Sequence, residues 1–193
     1  MGGNNHKGTK TMSSWAIDNA HSAIQFTVRH LMISKVRGRF LTFSGTVNFD
    51  EQTPANSSVS VQIEADSIDT RDEKRDAHLK SPEFLDVATS PYLTFVSKRI
   101  EVVDASHGQI IGDLSIRGVT QEVVLTAEYA GQAKAPWGTT SAGFSANTTI
   151  NRKDWGLNWN VALETGGVLV GEEVTIELEL EIIKQEPQVA GAA

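Results

Sequence analysis

The sequence contains no cysteine, no long apolar run and no excess of positive charge. The absence of cysteine excludes disulfides, thiolate catalysis and cysteine-ligated zinc or iron–sulfur sites. Uninterrupted apolar runs are no longer than four residues, far below the roughly 20 that a transmembrane helix needs. The 17 Lys and Arg stand against 24 Asp and Glu, for a net charge of -7, which argues against a nucleic-acid partner.

The length of 193 residues is typical of one domain, and its two ends differ from its body. Residues 1–14 are rich in Gly and Asn and lack the apolar segment of a secretory signal,. We therefore predict a flexible extension over residues 1–14, a folded domain over 15–184 and a flexible tail over 185–193. As written, the chain is expected to be cytoplasmic; it is expected to be periplasmic or secreted if a signal was removed.

Within the body, apolar and polar residues alternate with a period of two. Val174, Ile176, Leu178, Leu180 and Ile182 alternate with Thr175, Glu177, Glu179 and Glu181, and Leu41, Phe43, Val47 and Phe49 alternate with polar residues in the same way. Such alternation indicates antiparallel strands that have one buried and one wet face.

Eight strands are predicted, near residues 22–29, 36–50, 58–65, 92–103, 108–116, 121–131, 139–151 and 168–183. Several are joined by short turns, such as Gly118-Val119-Thr120, so neighbours in sequence are antiparallel neighbours in a meander. A sandwich and a barrel both accommodate eight such strands. We favour the barrel, because closure removes the exposed edges.

The segment from Asp69 to Ser90 breaks the alternation and predicts a helical crossover. Thr70 and Glu73 have the spacing of a capping box, which predicts a short helix near residues 71–80, and Ser81-Pro82 predicts a turn near 82–86. Residues 152–163 are expected to form a second irregular excursion. The four tryptophans, Trp15, Trp137, Trp155 and Trp159, are expected in the core or as plugs at the barrel ends.

The interior of an eight-stranded barrel is either filled by side chains or wide enough for one small ligand. The residues expected to face inward include several small ones: Gly45, Ala65, Gly112, Ala127, Ala142 and Ala146. These either leave a tunnel open or make room for aromatic rings from across the barrel. An open tunnel would be apolar and would bind an apolar chain, because each buried methylene contributes about 0.8 kcal/mol.

Six short motifs follow one another from Trp15 to Ile183. They are Trp15-x-Ile17-Asp18-x-x-His21-Ser22-x-Ile24-x-Phe26-x-Val28-x-His30, Gly38-x-Phe40, Arg75-Asp76-x-His78-Leu79-x-Ser81-x-x-Phe84-x-Asp86, Gly112-Asp113-Leu114-x-Ile116-x-Gly118-Val119-Thr120, Arg152-x-Asp154-Trp155-Gly156-Leu157 and Gly171-x-x-Val174. In this order they resemble the YceI-like family, the bacterial polyisoprenoid-binding proteins.

The resemblance implies an extended, lipocalin-like antiparallel β-barrel that holds a long isoprenoid lipid, such as a polyprenyl phosphate or an isoprenoid quinone. It implies no catalytic activity, and no cofactor is expected besides the bound lipid. The chain departs from the family in two respects. Many relatives carry a signal peptide and work in the periplasm, and the family often has Phe where this chain has Trp155.

We expect the ligand to meet aromatic side chains inside the barrel and polar side chains near one end. The candidates are Asp18, His21, Phe26, His30, Phe40, Phe43, Arg75, His78, Phe84, Phe144, Trp155 and Trp159. Arg75 and His78 are three residues apart on the predicted helix, so they share a face that suits an anionic phosphate. Alternatively, Arg75, Asp76 and His78 tie the helix to strand ends by hydrogen bonds.

The same residues offer three alternatives to lipid binding. A metal site of His21, His30 and His78 lacks any short metal-binding signature, so no metal is predicted. A barrel enzyme that acts on an apolar small molecule would use His and Asp at the mouth, but the chain has no G-x-S-x-G motif,. A filled barrel acting through its surface would present Glu177, Glu179 and Glu181 as an acidic stripe. A homodimer is compatible with such a barrel, although the sequence identifies no interface.

Overall fold

A computed structural model describes residues 13–164 and 166–185 of the chain. Within these residues, eleven strands form one antiparallel sheet. The strands are β1 Ser13–Ile17, β2 Ala23–His30, β3 Ser34–Phe40, β4 Phe43–Phe49, β5 Ser58–Glu64, β6 Ile68–Asp69, β7 Tyr92–Val102, β8 His107–Ile116, β9 Val119–Lys134, β10 Thr140–Asn151 and β11 Val170–Lys184. One α-helix, α1 (Glu73–Lys80), lies between β6 and β7. The described residues contain no helix with the length and hydrophobicity to traverse a bilayer.

Three pairs of strands each continue one another along a single line, so the eleven strands form eight long strand positions. We call these positions staves, and the eight staves close into a barrel. β11 pairs with β10 along one edge; along its other edge it pairs first with β2 and then with β1. β1 and β2 are therefore two halves of one stave. β4 pairs with β5 while β3 pairs with β6, so β3/β4 and β5/β6 are likewise single staves. The predicted eight-stranded antiparallel barrel with a short helical crossover is confirmed.

The interruptions of the three divided staves lie side by side. The Leu41 N–H donates to the Ser67 carbonyl (3.1 Å), the Glu64 N–H donates to the Thr42 carbonyl (3.0 Å) and the Asn19 side chain donates to the Phe43 carbonyl (2.9 Å). The prediction of one continuous strand over residues 36–50 is therefore wrong. Because the ladder is broken at Leu41, that side chain is exposed rather than inward.

The inward and outward rows elsewhere agree with the alternation in the sequence. Along β11, Val174, Ile176, Leu178, Leu180 and Ile182 face the interior. The buried core covers the inner wall of the whole barrel, with a main cluster around Phe95 and Leu114 and a smaller one around Trp15 and Phe49. The barrel therefore has a dry inner face.

Strand β1 begins at Ser13, two residues before the predicted start of the folded domain. Ser13 and Ser14 belong to β1, and the Gln185 N–H donates to the Ser14 carbonyl at 2.8 Å. The remainder of the two ends predicted to be flexible, residues 1–12 and 186–193, lies outside the described residues.

The crossover contains the predicted helix, but a different residue caps it. Asp72 is the N-cap, and its carboxylate accepts from the N–H groups of Lys74 and Arg75 at 3.1 Å. The predicted pairing of Thr70 with Glu73 is wrong, because the Thr70 N–H and hydroxyl both donate to Asp76. The turn after Ser81 is present, with the Phe84 N–H donating to the Ser81 carbonyl at 3.0 Å.

The two barrel ends differ in what covers them. At the helix end lie α1, the turns of residues 81–90, the described part of the irregular segment 152–169 (residues 152–164 and 166–169) and the β2–β3 turn of residues 31–33. At the hairpin end lie the connections of residues 50–57, 103–106 and 135–139. Trp137, expected in the core or as a plug, is 80% exposed in the last of these connections, so the prediction for this tryptophan is wrong.

Candidate functional site

The inward faces of the staves enclose an elongated apolar cavity along the barrel. Its hairpin-end half has a volume of about 370 Å³ and its helix-end half about 200 Å³. The same five side chains line both halves: Val61, Phe95, Leu125, Leu178 and Leu180. The two halves therefore adjoin at the middle of the barrel, where they share these side chains.

Some of the small inward residues border open cavity, and others lie directly against a neighbouring side chain. Ala127 and Ala146, on paired strands, line the open hairpin half. At Gly112, by contrast, the ring of Phe95 fills the space that a side chain would occupy, with its Cζ 2.6 Å from the Cβ position, and Ile17 lies similarly close at Gly45. Ala127 and Ala146 thus agree with the open interior, whereas Gly112 and Gly45 make room for side chains of the neighbouring paired strands rather than for rings from across the barrel.

The hairpin half has aromatic walls. Phe49, Tyr129 and Phe144 form a cluster, with ring centroids 5.3 Å apart for Phe49 and Phe144 and 5.1 Å apart for Tyr129 and Phe144. Burial raises the pKa of the Tyr129 phenol, so the hydroxyl stays neutral at physiological pH. This end of the cavity therefore offers broad apolar surface and a neutral hydroxyl.

Exposed polar side chains border the hairpin half, and carboxylates dominate among them. Glu51 pairs with Lys184 at 2.6 Å, and the hydrogen bond from Lys184 lowers the pKa of Glu51. Asp104 pairs with His107 at 2.9 Å, while Glu128 also lies on this border. Three carboxylates thus face one lysine and one histidine, and the border is acidic.

The helix half is closed by apolar side chains from the crossover. Leu79 of α1, with Phe84 and Leu85 of the following turn, covers its end, and Phe26 and Phe40 line its side. The last two rings are 5.9 Å apart. Because these side chains come from a short helix and turns, the cover of the cavity is separate from the sheet that forms its walls.

A buried arginine lies in the wall of the helix half. Arg152 is only 3% exposed, and its guanidinium donates to the backbone carbonyls of Gly171 (2.9 Å), Leu157 and Val170 (3.4 Å). Burial lowers its pKa, as expected when a charge is desolvated. The side chain thereby fastens the irregular segment 152–169 to the start of β11.

Four of the twelve predicted ligand-binding residues line the cavity. Phe26, Phe40 and Phe84 line the helix half, and Phe144 lines the hairpin half. Phe43 and Trp155 are buried in the core without lining either half. The Trp155 indole N–H donates to the Leu114 carbonyl at 3.0 Å, which anchors the segment 152–169 on β8.

His78 and Trp159 lie directly behind the cover of the helix half. The His78 ring is perpendicular to both neighbours, with its centroid 4.5 Å from that of Trp159 and 5.0 Å from that of Phe84. His78 also pairs with Glu83. These two residues hold Phe84 in place, and they reach the cavity only through it.

Arg75 is engaged within the crossover. Its Nε donates to the Thr70 hydroxyl at 2.7 Å, and its Nη2 donates to the Thr70 carbonyl at 2.8 Å. Since Asp76 accepts from the same threonine, which directly follows β6, Arg75 and Asp76 match the alternative in which they tie the helix to a strand end, whereas His78 bonds to Glu83 in the turn after the helix.

Asp18, His21 and His30 lie away from the cavity. Asp18 and His21 form an exposed pair at 2.9 Å in the turn between β1 and β2, and His30 ends β2. Among the described residues, the ligand atoms that converge as a group of three belong to Asp18, His21 and Glu181. His21, His30 and His78 therefore do not form a joint metal site, and contact of any of them with a ligand stays a prediction.

Sequence reasoning missed the cavity residues that are not aromatic. Leu178 and Leu180 line both halves, and Arg152 lines one. The alternation of β11 carried a signal for the leucines, since it placed them inward. For Arg152 the signals were its position at the end of an inward-facing strand row and its place in the motif Arg152-x-Asp154-Trp155-Gly156-Leu157, neither of which gave it a role in the cavity.

The comparisons with known proteins agree on one family. The model of the YceI-like domain matches residues 15–182. A UPF0312 protein of Staphylococcus aureus (strain MSSA476) is 38% identical over 171 residues, which cover 88% of this chain and 97% of that protein. Neither description names an enzymatic activity.

Two solved structures extend the comparison to the fold. The YCEI protein of Campylobacter jejuni has a TM-score of 0.71 and 31% identity, covering 82% of this chain and 90% of that one. A polyisoprenoid binding domain from Saccharophagus degradans, implicated in plant cell wall breakdown, has a TM-score of 0.64 and 14% identity, covering 89% and 98%. The match of the family model over nearly the whole barrel decides the assignment: the chain belongs to the YceI-like family.

Proposed function

We propose that the protein binds a long-chain isoprenoid lipid inside the barrel and carries or sequesters it without transforming it. The observation that carries this proposal is the pair of adjoining apolar cavities along the barrel, which share the side chains Val61, Phe95, Leu125, Leu178 and Leu180. The family assignment and the polyisoprenoid binding domain of Saccharophagus degradans support it.

The shape and chemistry of the cavity favour a chain over a compact ligand. The hairpin half alone has about 370 Å³, within the roughly 300–1,000 Å³ of typical ligand sites, and the helix half extends it lengthwise. Burial of methylene and methyl groups contributes about 0.8 kcal/mol each without directional contacts. A branched hydrocarbon chain therefore gains affinity along the whole barrel from its walls alone.

The charges near the cavity favour a neutral head group, as in an isoprenoid quinone, over a polyprenyl phosphate. At the hairpin end, Glu51, Asp104 and Glu128 outnumber Lys184 and His107, so a phosphate would meet net repulsion. In the helix half, three of the five N–H donors of the Arg152 guanidinium are already bonded to carbonyls, so only two are left for an anion.

The first test is identification of the lipid that accompanies the purified protein. Organic extraction followed by mass spectrometry is expected to yield about one isoprenoid per chain. Protein stripped of lipid is then offered an isoprenoid quinone and a polyprenyl phosphate in separate detergent solutions. We expect uptake of both chains in native mass spectra, with tighter retention of the quinone.

A cavity-blocking variant provides the matched control. Ala146→Phe places a ring in the hairpin half, whereas Asn147→Phe places the same ring on the outer face of the same strand. We expect Ala146→Phe to lose lipid uptake and Asn147→Phe to keep it. Absence of any co-purified or added isoprenoid in the unaltered protein, or equal uptake by both variants, would contradict the proposal.

A further inference from the structure

An apolar turn projects from the helix end of the barrel. It joins β2 to β3 and consists of Leu31, Met32 and Ile33. Met32 is 53% exposed and Ile33 is 80% exposed. Turn tips normally carry Gly, Asn, Asp or Ser, so three successive large apolar residues at an exposed tip are unusual.

The backbone of this turn is unfavourable for the residues that occupy it. Leu31 has φ of 52° and Met32 has φ of 61°, the left-handed region in which side chains with a Cβ are disfavoured. The conformation is held by the hydrogen bond from the Ile33 N–H to the His30 carbonyl (3.2 Å) and from the Leu31 N–H to Leu169 (2.8 Å). Asn-Gly would relieve the backbone, so the apolar side chains are retained against a local penalty, as at functional sites.

A basic surface adjoins the apolar turn. Arg29 of β2 and Lys35, Arg37 and Arg39 of β3 are exposed on the outer face of the hairpin, and Arg29 lies directly opposite Lys35. Arg39 pairs with Asp69 at 2.9 Å, whereas Arg29, Lys35 and Arg37 make no ion pair within the described ranges. We call these four residues and the turn of residues 31–33 the docking hairpin. It lies at the helix end of the barrel, opposite the hairpin end.

The charge of this surface contrasts with the rest of the chain. Residues 19–49 contain no Asp or Glu, although the chain has 24 of them and a net charge of -7. The hairpin end also exposes apolar side chains, Trp137 and Val103, but it shares its surface with Glu51, Asp104 and Glu128. A negatively charged surface would therefore be attracted to the docking hairpin itself and repelled from the acidic border of the hairpin end.

We propose that the docking hairpin binds the surface of an anionic lipid bilayer, with Leu31, Met32 and Ile33 inserted among the head groups and the four basic residues above them. Such a combination of apolar and basic side chains is what interfacial binding requires. Phe26 and Phe40, on the same two strands, line the cavity. Because this hairpin carries both the docking surface and part of the cavity wall, docking would bring the cavity to the membrane. Such docking would serve the exchange of lipid between the membrane and the cavity, a role that rests on the proposed function.

The test is flotation of the full chain with vesicles that contain no isoprenoid. Vesicles of phosphatidylcholine are compared with vesicles that also contain phosphatidylglycerol, at low and high salt. We expect binding to the anionic vesicles only, with loss at high salt. The double variant Met32→Asp/Ile33→Asp and the double variant Lys35→Glu/Arg37→Glu are each expected to weaken binding at least about tenfold.

The matched controls are Trp137→Asp and Val103→Asp, which introduce the same charge at exposed apolar residues of the opposite end. Circular dichroism and thermal unfolding establish that all variants fold. Equal binding to both kinds of vesicle overturns the proposal. Loss of binding in the Trp137 and Val103 controls but not in the docking-hairpin variants also overturns it. Uptake of isoprenoid from detergent is measured separately: intact uptake without vesicle binding overturns docking alone, and vesicle binding without uptake overturns the proposed function alone.

Discussion

Arg152 fastens the end of the barrel from inside the wall of an apolar cavity. Its replacement by Ala would leave the carbonyls of Leu157, Val170 and Gly171 without their donor in a dry environment. We expect Arg152→Ala to lower the free energy of unfolding by about 3 kcal/mol in urea titrations. Arg152→Lys is expected to restore little, because one ammonium cannot reproduce the planar fork.

The control for Arg152 is Arg99, an exposed strand residue that pairs with Glu101 at 3.0 Å. Arg99→Ala is expected to change stability by less than about 0.5 kcal/mol. Similar losses for both variants would mean that burial of Arg152 carries no special role.

The pair of Asp104 and His107 at the hairpin end predicts a pH dependence. Backbone donors at Ser106 and the hydrogen bond from His107 lower the pKa of Asp104 to about 2, and the hydrogen bond to Asp104 raises the pKa of His107 above 6.5. The stabilisation from His107 is complete below pH 6.5 and is lost as the pH rises through its higher folded pKa. The stabilisation from Asp104 is present above 3.8 and is lost as the pH falls towards 2.

The titration of His107, followed by NMR, is therefore expected to have its midpoint above 6.5. Asp104→Asn should return this midpoint towards 6.5. His21, whose pKa is raised by Asp18 in a different turn, serves as the internal control, because its midpoint should not move. An unchanged His107 midpoint in the variant would contradict the assignment of Asp104 as the cause.

At the scale of elements, helix α1 depends on a cap that the sequence pattern misassigned. The carboxylate of Asp72 accepts from two N–H groups of the first turn, whereas Asp76 bonds to Thr70 in place of Glu73. Asp72→Ala is expected to destabilise the protein by about 1 kcal/mol. Glu73→Ala should cost less than about 0.5 kcal/mol, and the reverse order in chemical denaturation would restore the capping-box interpretation.

The elements themselves were predictable wherever the alternation was regular. The inward-facing residues of β10 and β11 could be recognised in the sequence, because the inward positions carry apolar or small side chains. The division of β3 from β4 was not visible, since it depends on hydrogen bonds from Leu41 to Ser67 and from Glu64 to Thr42, residues more than twenty positions apart. β1 was missed because only Trp15 and Ile17 mark its five residues.

At the scale of the whole molecule, the barrel was predictable from the sequence but the openness of its interior was not. Gly112 and Ala146 look alike in an inward row, yet the ring of Phe95 covers the first while the second borders the cavity. Which outcome holds at a position depends on the size and direction of side chains on the neighbouring strand, as with Phe95 of β7 beside Gly112 of β8. The site residues share this limit: the sequence identified Phe26, Phe40, Phe84 and Phe144 as aromatic, and only closure of the barrel places them in one cavity wall.

A cavity that holds a lipid makes the stability of the whole barrel depend on that lipid. A ligand present at about a hundredfold over its dissociation constant stabilises the folded state by about 2.7 kcal/mol, which corresponds to about 5–10 °C in the unfolding temperature of a domain of this size. Removal of the co-purified lipid should therefore lower Tm in calorimetry by about this amount, and added isoprenoid should restore it. Ala146→Phe, whose ring occupies the hairpin half, should show no such response, while Asn147→Phe should respond like the unaltered chain. Equal Tm values for the loaded and stripped protein would mean that the lipid is not bound inside the folded barrel, because a ligand that binds only the native state must stabilise it.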